Sequence, residues 1–170
     1  MSTSTPAEHK AHAPRAVGCW VLTISDTKTP ETDTSGALIR ELLGAGGHHV
    51  VGSGIVRDEP SDVQRVIREA CADPAVQAVI LTGGTGITSR DSTFEAVDAM
   101  LDKRLPGFGE LFRMLSYQDV GAAAMLSRAQ MGIHARRIVV SLPGSPNACR
   151  LALEKLLVPE LGHLVREVSR

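Results

Sequence analysis

The densest chemistry in the sequence lies at Thr82-Gly83-Gly84-Thr85-Gly86, with Asp91 shortly after. Glycines admit backbone conformations barred to other residues and let a ligand come close. Successive N–H groups in such a loop form a nest for phosphate oxygens, and a following helix adds the positive end of its dipole. Thr82 and Thr85 add hydroxyl donors. No Gly-Lys-Ser/Thr follows, so this is not a Walker A loop, and the spacing is not that of a dinucleotide fingerprint. A tight strand-to-helix turn without a ligand is the competing reading. Asp91 suits a phosphate neighbour if Mg2+ bridges the two, or if it orients a ligand hydroxyl or amine. Its plain alternative is helix N-capping, for which Ser92 competes.

The elements that must position these residues alternate in type. Residues 17–24 form a short, mostly apolar run with β-branched members and read as a buried strand. Ala37, Leu38, Leu42 and Leu43 recur at helical spacing before Gly46-Gly47 stops the helix. Residues 49–56 read as a second strand. Pro60 opens a helix in which Ser61 and Gln64 have capping-box spacing and Val63, Val66, Ile67, Ala70 and Cys71 form an apolar stripe. Residues 76–81 are a third strand, leading directly into the glycine loop. A helix is expected over 92–101, with Ser92 and Glu95 as a second capping box. Another is expected over 106–117, with Phe108, Leu111, Phe112 and Leu115 inward. Residues 121–134 fit strand or helix. Residues 138–142 are a clear strand, broken by Pro143-Gly144-Ser145-Pro146. A helix carrying Leu151, Ala152, Leu156 and Leu157 follows, and Pro159 restarts a last one to residue 168. Alternating strands and helices predict one doubly wound α/β domain with a parallel sheet.

In open parallel sheets ligands bind beyond the carboxyl ends of the strands. The residues there are Ser25-Asp26-Thr27, Arg57-Asp58-Glu59, the glycine loop, and Gly144-Ser145. Asp58 and Glu59 are candidates for a metal or hydrogen-bonding role, or a solvated loop. An Asx-turn would explain Asp26 and N-capping would explain Ser145. Arg128, beside Ser127, suits a bidentate phosphate grip or a surface salt bridge.

Composition narrows the class. A chain of 170 residues with net charge −1 shows no basic nucleic-acid footprint. Cys19, Cys71 and Cys149 are far apart and odd in number, which fits a reducing compartment rather than a disulfide framework or zinc site. No apolar run reaches the ~20 residues of a spanning helix. A cytoplasmic protein is expected, with residues 1–14 a flexible tail and 15–170 the domain. His9 and His12 in the tail cannot complete a metal site alone, and His48, His49, His134 and His163 form no ligand-spaced set.

The runs TGGTGITSRDSTFEAV, PGFGELFRMLSYQDVG, AMLSRAQMGI and SLPGSPNACRLALEKLLVPELGHLV together resemble the MoaB/MogA family of molybdenum cofactor biosynthesis proteins, whose fold recurs in the gephyrin G domain. The GFGELFR and PELGHLV segments look closer to MoaB. The resemblance covers residues 15–168. It implies a three-layer α/β/α fold with a mostly parallel central sheet, molybdopterin as substrate, and a homotrimer or homohexamer. It also implies adenylylation of the molybdopterin phosphate by ATP with Mg2+, releasing pyrophosphate, and transfer to a separate downstream molybdate-inserting protein. Gly83, Gly84, Thr85 and Gly86 match the family's phosphate or pterin loop. Asp91 and Asp58 match its functional aspartates and are the candidate catalytic residues and Mg2+ holders. Ser25, Asp26, Ser127, Gly144 and Ser145 match other rim segments. Ser92 and Phe94 depart from the family's usual Val or Ile and Pro. A non-catalytic molybdopterin carrier and a scaffolding oligomer are the alternatives from other classes; neither nucleic acid nor membrane is an expected partner.

Overall fold

The computed structural model describes residues 13–170. The tail histidines lie outside the described residues. Ala13 and Pro14, expected in the tail, pack on the domain: a Cβ on Gly162 would stand 2.3 Å from the Pro14 carbonyl oxygen.

The chain runs β1 (Gly18–Ile24), α1 (Thr34–Ala45), β2 (His49–Val56), α2 (Pro60–Ala72), β3 (Ala78–Thr82), α3 (Thr93–Asp98), β4 (Lys103–Arg104) and α4 (Pro106–Val120). A 3-10 turn (Gly121–Leu126), β5 (Gln130–His134), β6 (Arg137–Leu142), α5 (Pro146–Ala152), a π segment (Leu153–Leu157) and α6 (Val158–Ser169) complete it. The sheet order is β2-β1-β3-β6-β5-β4. β2, β1, β3 and β6 are mutually parallel, whereas β5 and β4 run antiparallel at one edge. The sheet is thus mostly parallel, as the family resemblance implies, with an antiparallel edge that element alternation alone does not announce. Residues 121–134, whose pattern fits strand or helix, form a 3-10 turn and the antiparallel strand β5.

Helices cover both faces. One core joins Val21, Ile80, Val140 and Leu142 to Ile39, Leu43, Phe112, Leu153 and Leu161; the other joins Leu22, Val79 and Leu81 to Val63, Ile67 and Val97. Every β3 residue is buried, which explains its unbroken apolar run.

Several local readings change. Neither capping box forms. At α2, Pro60 occupies the first turn and Gln64 instead donates to the Ala96 carbonyl. At α3, the Ser92 hydroxyl turns to Asp58 and Glu95 pairs with Arg128. Helix α3 is also shorter than expected. Phe108 and Phe112 point inward, but Leu111 is 48% exposed. The expected break before the last helix is absent: a π segment joins α5 to α6. Proline lacks an N–H and clashes with the carbonyl four residues back. A π turn accommodates Pro159 without ending the helix.

Candidate functional site

Because β1, β2, β3 and β6 are parallel, their carboxyl ends share one rim. Ser25, Asp58, the glycine loop and Pro143–Ser145 all follow those ends. The structure brings the loop and the β6 end together around a cleft of about 420 Å3, lined by Gly83–Gly86, Asp91, Leu126, Ser127 and Pro143–Ser145. A smaller cavity of about 190 Å3 continues past Gly83 and Gly144 to Ser25, Lys28 and Ser35.

Glycine is required at two loop positions. Gly83 has φ +103° and Gly84 φ +64°, in the region that disfavours side chains. A Cβ on Gly83 would lie 2.3 Å from the Ile24 carbonyl oxygen, and one on Gly84 2.1 Å from the Thr93 hydroxyl. The Gly83 N–H donates to the Leu142 carbonyl at 3.0 Å and ties the loop to β6. Among the described residues, the N–H groups of Gly84 and Thr85 have no hydrogen-bond partner.

Asp91 lines the cleft. Its Oδ2 accepts from the Thr88 N–H at 3.0 Å and the Thr88 hydroxyl at 2.5 Å, while Oδ1 has no such bond. The Thr88 hydroxyl foremost, then the Thr88 and Gly86 backbone and the Arg128 charge, hold its carboxyl below the usual carboxylate range. It is an ionised group with one oxygen fixed and one available. Capping is not its role, since α3 begins only at Thr93.

Asp58 stands elsewhere. It is 7% exposed and does not line the cleft. Its Oδ1 accepts from the Ser92 hydroxyl at 2.9 Å, the Thr93 hydroxyl at 3.1 Å and the Ser92 N–H at 3.3 Å. Oδ2 lies against Gly84, where a Cβ would approach to 2.5 Å. The carboxylate that meets the start of α3 is thus Asp58 itself, so the expected help of that helix dipole to a bound phosphate is withdrawn. The expectation of Asp58 as a metal ligand is also corrected, because its oxygens face the protein and brace the loop from behind.

Other rim residues prove mainly structural. Thr82 is 1% exposed and donates to the Pro143 carbonyl at 2.9 Å, which removes it from the candidate ligand donors. Ser145 caps α5, its hydroxyl accepting from the Ala148 N–H. Ser25 accepts from the N–H groups of Thr27 and Lys28 in a local turn. The Gly144 carbonyl receives the Ser35 hydroxyl at 2.7 Å. Ser127 lines the cleft; its N–H donates to the Ala124 carbonyl at 3.1 Å, and its hydroxyl has only a 3.5 Å contact from the Ala129 N–H. Asp26 accepts from Arg90 Nε at 2.9 Å, and that guanidinium pushes its carboxyl down. Arg90 also reaches Glu59 at 2.8 Å, so it ties the segment before Asp91 to the ends of β1 and β2.

Sequence reasoning missed Thr88 and Arg90. Thr88, three residues before Asp91, has the spacing of a local side chain–backbone turn and was findable on that ground. For Arg90 the only signal was its place between two acidic strand ends. Of the two contacts read for Arg128, the salt bridge forms, from Nη1 to Glu95, while Nε donates to the Thr85 carbonyl at 2.9 Å and Nη2 to the Gly86 carbonyl. Its guanidinium lies 5.0 Å from the Phe94 ring centroid.

The family model described as a probable molybdopterin binding domain matches residues 20–163. A molybdenum cofactor biosynthesis protein B from Halalkalibacterium halodurans is 51% identical over 164 residues, covering 96% of each chain. Among solved structures, a molybdenum cofactor biosynthesis protein B superimposes with TM-score 0.90 at 51% identity, covering 94% of this chain and 99% of that one. The tungsten cofactor synthesizing protein MoaB from Pyrococcus furiosus does so with TM-score 0.82 at 40% identity, covering 93% and 100%. With the glycine loop, its aspartate and this mixed sheet on the same chain, the protein belongs to the MoaB/MogA family of molybdenum cofactor biosynthesis proteins.

Proposed function

We propose that the chain binds molybdopterin at the rim cleft and adenylylates its terminal phosphate with Mg-ATP. The observation that carries this reading is the pair of unpartnered N–H groups at Gly84 and Thr85 beside the ionised Asp91 in one cleft. Amide donors fixed before the reaction stabilise phosphate charge without reorganising. In the transfer, a molybdopterin phosphate oxygen attacks the α-phosphorus of ATP. The bond from that phosphorus to the bridging oxygen breaks, and pyrophosphate leaves with the electron pair. No protein nucleophile is needed, since positioning and charge stabilisation carry such chemistry.

The residues fit an Mg2+ that arrives with the nucleotide rather than one held by the protein alone. Among the described residues no cluster of three or more acidic, histidine or cysteine side chains could hold a metal. Asp91 lines the cleft with one carboxylate oxygen not bonded to Thr88, and Mg2+ commonly takes one or two carboxylates with substrate phosphates and water. Bound there, Mg2+ would neutralise phosphate charge. Asp91 would hold it, and Asp58 keeps the loop in shape.

The assay is pyrophosphate release from ATP that depends on molybdopterin. No release, where a known family member releases it, overturns the reading. One observation favours binding without turnover instead: no lysine or arginine lines the cleft. That reading expects tight molybdopterin binding and no adenylylated product. The product of transfer would pass to a separate molybdate-inserting protein. The working form is a homo-oligomer, supported by exposed Leu111, Met114, Tyr117, Val120, Met125 and Leu126 on α4 and the following turn.

A further inference from the structure

Arg128 is the cation nearest in function to the cleft, yet it does not line it. All three guanidinium nitrogens are engaged, to the Thr85 and Gly86 carbonyls and to Glu95, and its Cζ lies over the Phe94 ring. A planar fork satisfied on every edge and stacked on a ring is fixed in orientation. Each of its nitrogens is thus committed to the protein, and none stands in the cleft to grip a phosphate.

Its partners are carbonyls of two successive loop residues. In a trans peptide the carbonyl and the next N–H share a plane and point in opposite directions. Drawing the Thr85 carbonyl to Arg128 turns the Gly86 N–H the other way, at a residue that lies against the Asp91 carboxylate and whose backbone favours its charge. Drawing the Gly86 carbonyl outward likewise keeps a carbonyl oxygen from facing the carboxylate and any bound anion. Gly86 has no side chain to resist a flip of either peptide.

We infer that Arg128, held by Phe94 and Glu95, is a positioning residue that locks the Thr85 and Gly86 carbonyls away from the cleft, so that no carbonyl oxygen opposes a phosphate bound by the Gly84 and Thr85 N–H groups. This rests on the anion-binding reading of the cleft proposed above, but not on turnover. Lysine keeps the charge but lacks the fork, so Arg128→Lys separates locking from simple charge.

The test is an amide-resolved NMR titration with inorganic pyrophosphate, without metal, on wild type, Arg128→Lys and Phe94→Leu. In the wild type, the Gly84 and Thr85 amide signals are expected to move on binding. Arg128→Lys is expected to bind about tenfold more weakly, about 1.4 kcal/mol. The Gly86 amide signal should shift before any ligand is added. Phe94→Leu, which removes the ring and keeps the bulk, is expected to bind about threefold more weakly; it decides the matter if Arg128→Lys does not fold. Wild-type binding with both variants within twofold and an unmoved Gly86 signal overturns the inference alone. A wild type that binds no pyrophosphate overturns the anion reading of the cleft and this inference with it.

Discussion

Two aspartates near the glycine loop should respond differently to the same change. Asp91→Asn keeps an oxygen for Thr88 but removes the charge at the cleft. Pyrophosphate release is expected to fall at least about a hundredfold, the scale of losing one fixed electrostatic contact, with little change in denaturant midpoint. Asp58→Asn weakens a buried acceptor of three donors, and is expected to cost roughly 1–3 kcal/mol of stability. Gly86→Ala should mimic Asp91→Asn in activity, because a Cβ would sit 2.6 Å from Asp91 Oδ2. The pH dependence follows from the lowered carboxyls of Asp91 and Asp26. A group whose folded value is depressed lends stability above its unfolded value and loses it as pH falls through the folded one. Denaturant midpoints should therefore hold from neutrality into mild acid and decline only below the ordinary carboxylate range. If Asp91→Asn and wild type decline alike, Asp91 is not among the groups responsible.

Elements show where the sequence was legible. The central strands were readable because both faces of β3 are buried and its run is uniformly apolar. Gly46-Gly47 ended α1 as expected, with Gly47 at φ +82°. The glycine loop was readable because φ values of +103° and +64° leave little but glycine at Gly83 and Gly84. What stayed hidden depends on partners distant in sequence. Ser92 looks like a cap until Asp58, 34 positions away, takes its hydroxyl. Thr82 looks like a ligand donor until Pro143 takes its hydrogen. The β5–β6 hairpin was hidden for another reason: its turn residues Ala135 and Arg136 both have positive φ, at 46° and 61°, where Asn-Gly is the usual sequence. Replacing them, Ala135→Asn with Arg136→Gly, should relieve that strain. Stability is expected to rise by about 1 kcal/mol, a melting shift of about 2–4 °C, read by calorimetry. An unchanged or lower melting temperature would mean that the contact of Arg136 with the Ser169 carbonyl outweighs the turn.

The whole molecule leaves one face unfinished. Tyr117 is 63% and Met125 75% exposed, on a helix and turn that continue to Leu126 at the cleft. Light scattering at micromolar concentration is expected to give a multiple of the 18.0 kDa chain mass. Tyr117→Glu with Met125→Glu should return it to a single chain; a monomeric wild type would refute the assembly. Among the described residues, no helix is long and apolar enough to cross a membrane. The same scale gives meaning to the rim. The cleft takes residues from 83–86, 91, 126–127 and 143–145, in the loops after the central strands β3 and β6 and at the end of the turn before β5. No local fragment can hold it, so the ligand recognises only the fully folded chain. By mass action, a ligand at a hundred times its dissociation constant then adds about 2.7 kcal/mol to global stability. The supply of ligand would thus set how often each copy opens to proteolysis, so that scarcity of the pterin shortens the protein's life as well as emptying its cleft.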